Sequence, residues 1–211
     1  KGIFYVQLEV RSASQDSHSS YATVVPNPAW RLVWALSTLK DRDENILIPG
    51  FYDDVRQPTQ QELEAVAKMP SEEAKVKKEL GLAGFLKGMN GEELRRRHLF
   101  EPTCTICGIE SGYTGEGTKT VLPAIAMAKI DFRLVPSMRH DDILQKLRSH
   151  LDAQGFQDVV ITHSDGENAS RTAMDSPFVK LVSKTAQDVY GQEPIIVPTM
   201  AGSGPMYCIS E

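Results

Sequence analysis

His18 stands in the run Asp16-Ser17-His18-Ser19-Ser20, directly after a segment of alternating apolar residues. An imidazole flanked by short hydroxyl side chains in a loop is expected to be exposed enough to act. Nucleophilic serine chemistry needs in addition a third orienting group and a strained elbow, and the sequence shows neither. Cys104-Thr105-Ile106-Cys107 has CxxC spacing. Zinc needs four ligands, and no second pair accompanies this one. The motif also falls in a strand pattern, where positions three apart face opposite sides, whereas a redox CxxC opens a helix. The stretch from Gly112 to Thr120 approaches a phosphate loop. Thr118, however, separates its last glycine from Lys119, Glu116 sits in the cradle, and Pro123 with a strand follows instead of a helix. His98, His140, His150 and His163 show neither HxxxH nor HExxH spacing. Glu92-Glu93 and Asp141-Asp142 sit at helix starts, where the macrodipole accounts for them. No metal ligand set is read from these residues.

The elements that must hold these residues are legible from periodicity. Over residues 2–14, Phe4, Val6, Leu8 and Val10 form a wholly apolar face opposite Ile3, Tyr5, Gln7 and Glu9, which predicts a strand with one buried side. Asn27 caps a helix with Pro28 at its first position, and Trp30 and Trp34 are expected to pack in the core. Thr59 and Glu62 form a capping box for a helix ending near Met69, a second helix runs from Ser71 to Gly81, and Asn90 caps a third. Arg95-Arg96-Arg97 reads as a solvated helix end. Strands follow at 103–111 and 124–135, then a helix to Ala153 with Ile143, Leu144, Leu147 and Leu151 on one stripe, then a strand at Val159-Val160-Ile161. The order β-α-(helical insertion)-β-β-α-β predicts an α/β (α+β) ferredoxin-like two-layer sandwich: a four-stranded antiparallel sheet with helices on one face. Residues 165–175 read as loop. A helix from Pro177 to Tyr190 and a strand from Pro194 to Val197 have no place in that unit and predict the start of a second domain.

Composition bounds the partners. The 211 residues carry a net charge of −5. That balance argues against nucleic acid or an anionic membrane, since both need a basic face. No apolar run is long enough to span a bilayer. Three cysteines suit a reducing, cytoplasmic setting better than a disulfide framework. The chain enters a strand pattern almost at once and stops inside an element, so a piece of a longer protein is expected.

Taken in order, Asp16-Ser17-His18-Ser19, Gly117-Thr118-Lys119-Thr120-Val121-Leu122-Pro123, Phe132-Arg133-Leu134-Val135-Pro136 and Ala201-Gly202-Ser203-Gly204-Pro205 resemble the M20 metallopeptidases. Asn45-Ile46-Leu47-Ile48-Pro49-Gly50-Phe51-Tyr52 is similar to their dipeptidase and carnosinase branch. The resemblance implies a catalytic domain with two zinc ions, interrupted by a lid that also makes a homodimer. Residues 1–165 then correspond to the lid and dimerisation domain, with the helical insertion at about 41–102, and 166–211 to the truncated return into the catalytic domain. The family's metal ligands and general-base glutamate have no counterpart in this chain, which implies that it is inactive alone.

Four positions match residues of that family that touch substrate. His18 resembles the lid histidine that stabilises the tetrahedral oxyanion, often across the dimer. Thr120 and Arg133 resemble residues that hold the substrate's C-terminal carboxylate, and Ser203 resembles the serine contacting the same end. The resemblance implies a dipeptide or an N-acyl amino acid as substrate. Ser19-Ser20-Tyr21-Ala22 departs from the glycine-rich run of carnosinases and leaves the choice between these open. The competing reading is a self-contained ferredoxin-like module that binds a ligand or self-associates without catalysis.

Overall fold

A computed structural model describes residues 1–210. The strands are β1 (Gly2–Arg11), β2 (Ser17–His18), β3 (Thr103–Ser111), β4 (Val121–Leu122), β5 (Ile125–Leu134) and β6 (Val160–Glu167). The helices are α1 (Pro28–Ser37), α2 (Gln60–Lys68), α3 (Glu73–Leu80), α4 (Gly91–Phe100), α5 (His140–Ala153), α6 (Pro177–Tyr190) and α7 (Tyr207–Ser210). Four strands make an antiparallel sheet in the order β3-β5-β1-β6, the ferredoxin-like order, and β2 pairs with β4 in a separate ribbon. No helix among the described residues is long and apolar enough to cross a membrane.

The core follows the alternation. Phe4, Val6, Leu8 and Val10 of β1 and Ala126, Ala128, Ile130, Phe132 and Leu134 of β5 are all buried on one face. α1 packs over β1 and β5, and α5 over β1 and β6. α5 presents Ile143, Leu147 and Leu151 to that core, with Leu144 half-buried at its margin. His150 is buried as well, its Nε2 within 3.0 Å of the Thr38 carbonyl at the end of α1. Burial holds its pKa below the usual histidine range. It ties the two helices together and is not a reactive group.

The helix starts behave as their residue types dictate. Asn27 Oδ1 accepts from the Ala29 amide at 2.8 Å, and Pro28 takes the first helical position. Thr59 and Glu62 close a complete capping box. Gly81 ends α3 in the left-handed region, at φ 64°. Asn90 does not cap α4 with its side chain, which instead donates back to the Gly88 carbonyl.

Four other expectations are corrected. Trp30 and Trp34 are not core residues: they are 58% and 52% exposed and stack on each other with centroids 6.1 Å apart. α1 buries Leu32, Ala35 and Leu36 instead, and at 100° per residue positions 30 and 34 fall on the far side. β6 runs on to Glu167 because the polar stretch pairs with the central strand β1 through a bulge near Gln7 and Leu8. Residues 194–197 form no strand among the described residues; Ile195 and Val197 stand exposed. The three arginines of α4 are tethered rather than solvated: Arg95 donates to the Val66 carbonyl, Arg97 to Glu101 at 2.6 Å, and Arg96 lies 3.8 Å from the same carboxylate.

The insertion has a small core of its own, Val66, Leu99 and Phe100. Glu62 is buried at its edge and accepts from Arg56 and Arg171, each at 2.9 Å. That carboxylate joins the insertion to the segment after β6.

Candidate functional site

At one end of the β1–β5 ribbon the chain turns through β2 and β4, which pair His18 with Val121. The carboxylate of Asp16 pins this turn by accepting the Ala124 amide at 2.9 Å. His18 lies exposed at the tip. The Ser20 backbone N–H donates to its Nδ1 at 3.1 Å, which assigns the ring proton to Nε2. Nε2 lies 3.2 Å from Thr120 Oγ1, so the imidazole and the threonine hydroxyl form one outward-facing donor pair.

At the other end Arg133 leaves the face of β5 opposite the helices, beside Ile3 of β1 and Thr103 of β3. Nη1 donates to Ser203 Oγ at 3.0 Å, and Nε faces Asp131 at 3.4 Å. Ser203 Oγ in turn donates to the Gly2 carbonyl at 3.0 Å. The missing side chain of Gly2 leaves room for the end of β6: a Cβ there would meet the Glu167 carbonyl at 2.5 Å. Nη2 has no partner among the described residues, which leaves a guanidinium edge free for a carboxylate.

The structure therefore joins the four sequence-predicted residues in two pairs, His18 with Thr120 and Arg133 with Ser203. Thr120, expected beside Arg133, lies with the histidine instead. The segment of β5 from Ile125 to Arg133 spans about 26 Å at roughly 3.3 Å per residue, and the pairs lie beyond or at its two ends. A dipeptide extends only about 7 Å. The four side chains of one chain cannot meet on one such molecule.

Among the described residues no three of His, Cys, Asp and Glu converge as metal ligands. Cys104 is buried, with its thiol pushed up to about 12 by burial, while Cys107 is exposed as the unpaired residue of a bulge. The described residues do not fit a metal centre.

The peptidase dimerisation domain family of the M20 peptidases matches residues 1–159. The chain belongs to that family. This M20 chain is 27% identical over 204 residues to the Beta-Ala-His dipeptidase of Homo sapiens, covering 93% of this chain and 40% of that protein. It is 30% identical over 152 residues to the Cys-Gly metallodipeptidase dug1 of Schizosaccharomyces pombe, covering 72% and 32%. Its fold superposes with a TM-score of 0.89 on an M20 family metallo-carboxypeptidase, Sso-CP2 from Sulfolobus solfataricus, at 40% identity, covering 98% of this chain and 47% of that one. The chain thus spans less than half the length of these relatives.

Three supporting residues of the M20 chain were given no role from the sequence. Ser20 acts through its backbone amide and through its hydroxyl, which lies 2.9 Å from His18 Nδ1. Asp16 pins β2 to the start of β5, a contact across more than a hundred residues. Asp131 was readable, because two-residue spacing in a strand puts it on the same face as Arg133.

Proposed function

We propose that this chain is the lid and dimerisation portion of a metal-dependent M20 dipeptidase, and that its two polar pairs serve active sites in a homodimer from opposite sides. Residues 1–165 are the lid, and 166–211 begin the return to a catalytic domain that carries the metal, a pair of zinc ions in this reading, on ligands outside this chain. The observation that carries the proposal is the separation of the pairs. Arg133 and Ser203 of one protomer hold the substrate's terminal carboxylate, while Nε2–H of the partner's His18, beside Thr120, donates to the carbonyl oxygen as it gains charge.

The second copy has a surface to dock on. β3 is a sheet edge with free backbone groups, and its Ile106 and Ile109 are about half exposed. They pair with Ile130 and Ala128, so they point to the same side of the sheet as α1, where Trp30, Val33 and Trp34 are also exposed. An apolar edge strand beside an apolar helix face suits isologous pairing with itself. The opposite edge, β6, carries His163, Ser164 and Asp165 and is blunted by them. Two exposed free cysteines support a reducing, cytoplasmic setting.

Complementation tests this in the full-length enzyme. His18→Ala and Arg133→Met are each expected to be inactive as homodimers. Co-expressed, they form heterodimers with one intact site in two, and random pairing restores about a quarter of wild-type activity. Absence of any recovery, or a monomer by light scattering at tens of micromolar, would show that the pairs do not act across an interface.

A further inference from the structure

Beside Arg133 a cleft of about 320 Å³ opens between the insertion and the ends of β3 and β5. On a chain of net charge −5 this cleft is cationic. Lys1, Lys40, Lys87, Arg97 and Arg133 line it. Only Glu44 and Glu101 oppose them, and these are engaged by Lys40 and Arg97.

Two cations have no carboxylate of their own. Lys1 is buried and its Nζ donates only to the carbonyls of His98 and Glu101, at 2.8 and 2.6 Å, at the C-terminal end of α4. Burial pushes its pKa down to about 8, Glu101 opposes that shift, and Arg133 adds repulsion. Lys87 stands exposed in a tight turn at φ 55° with no ion pair among the described residues. Cys104 lies in the wall as a neutral thiol.

We propose that this cleft is a specificity subsite that receives an acidic side chain on the substrate's C-terminal residue, so that the enzyme favours substrates ending in aspartate or glutamate. The assignment rests on the carboxylate-gripping role of Arg133 given above. A residue whose α-carboxylate sits on Arg133 carries its side chain only a few bonds away, and Arg133 itself forms part of the cleft. A second carboxylate there meets a surplus of positive charge in a partly desolvated space, where opposite charges discriminate well. A neutral isostere of the same shape gains nothing from that surplus.

The test compares kcat/KM for Ala-Glu, Ala-Gln and Ala-Leu in the full-length, metal-loaded enzyme. Ala-Glu is expected to exceed Ala-Gln by about tenfold at low salt, with the ratio shrinking as salt rises. Lys87→Asn removes one charge while keeping a side chain that tolerates the left-handed backbone, and it should lower the ratio about threefold. Lys40→Gln should lower it in the same direction. Equal rates for Ala-Glu and Ala-Gln, with hydrolysis intact, overturn the subsite and leave the dipeptidase reading standing. An unchanged ratio in both variants does the same. Failure to cleave any of the three overturns the dipeptidase reading and the subsite with it.

Discussion

The two ends of the β1–β5 ribbon are built in different ways. At the His18 end the imidazole is oriented by Ser20, two residues away, and stands exposed. At the Arg133 end the guanidinium is half-buried and held by Ser203, 70 residues on, which in turn holds Gly2. An exposed polar tip can be carried to a distant site and needs only something to dock against. An enclosed pair assembled from remote segments shapes a pocket that something enters. Within one fold, the first arrangement suits a group delivered to a partner and the second a group that receives substrate.

Mutations at the two ends should therefore fail in different ways. The largest effect is expected at the exposed tip. His18→Ala in the full-length enzyme should lower kcat about a hundredfold or more, the cost of one lost oxyanion donor, with KM and metal content nearly unchanged. A loss below about threefold, with metal bound, would remove His18 from the chemistry and with it the contrast between the ends.

A smaller effect is expected at the enclosed end, and it should appear in KM. Ser203→Ala removes a hydroxyl that joins Arg133 to Gly2. A lost hydrogen bond of about 1 kcal/mol corresponds to roughly a fivefold rise in KM at similar kcat. An effect confined to kcat would mean that this end does not hold the ground-state substrate.

The smallest effect concerns pH. Burial lowers the pKa of Lys1 to about 8 in the folded chain, from an ordinary lysine value of 10.5. Between those values the unfolded chain binds the proton that the folded chain releases, so the contribution of Lys1 makes stability rise with pH. Below about pH 8 both states are protonated and the penalty for burying the charge is fully present. The thermal midpoint of the wild type should therefore climb between pH 8 and 10 relative to Lys1→Met, which lacks this titration. Parallel profiles for the two proteins would mean that the ammonium is well solvated, and that this end is more open than the geometry indicates.

Much of the frame was legible beforehand. β1, β3, β5, α1, α5 and α6 follow from alternation, stripes and caps, because burial of one face and satisfaction of helix ends are local demands that residue types answer directly. Trp30 and Trp34 were misread for a physical reason. A large aromatic residue at helical spacing states that it needs covering, but not whether this chain or another copy covers it. β6 was cut short because a polar sequence becomes a strand when a central strand needs a partner, and that demand is invisible within the segment. The candidate residues His18, Thr120, Arg133 and Ser203 were named through the family resemblance, while their arrangement in two pairs was not.

What the sequence determined by itself is the local chemistry. It placed an imidazole in a polar turn, a guanidinium on one strand face, a capping box at Thr59 and an apolar alternation in β1. Tertiary structure alone decided which of these groups meet. The antiparallel register of β1 with β5 sends Gly2 and Leu134 to one end and Arg11 and Ile125 to the other. Thr120, just before β5, therefore goes to His18, and Arg133, near its end, goes to Ser203. Twelve residues of near-extended chain separate two side chains that a motif reader sets together, because an extended strand carries its ends apart about as far as a backbone can.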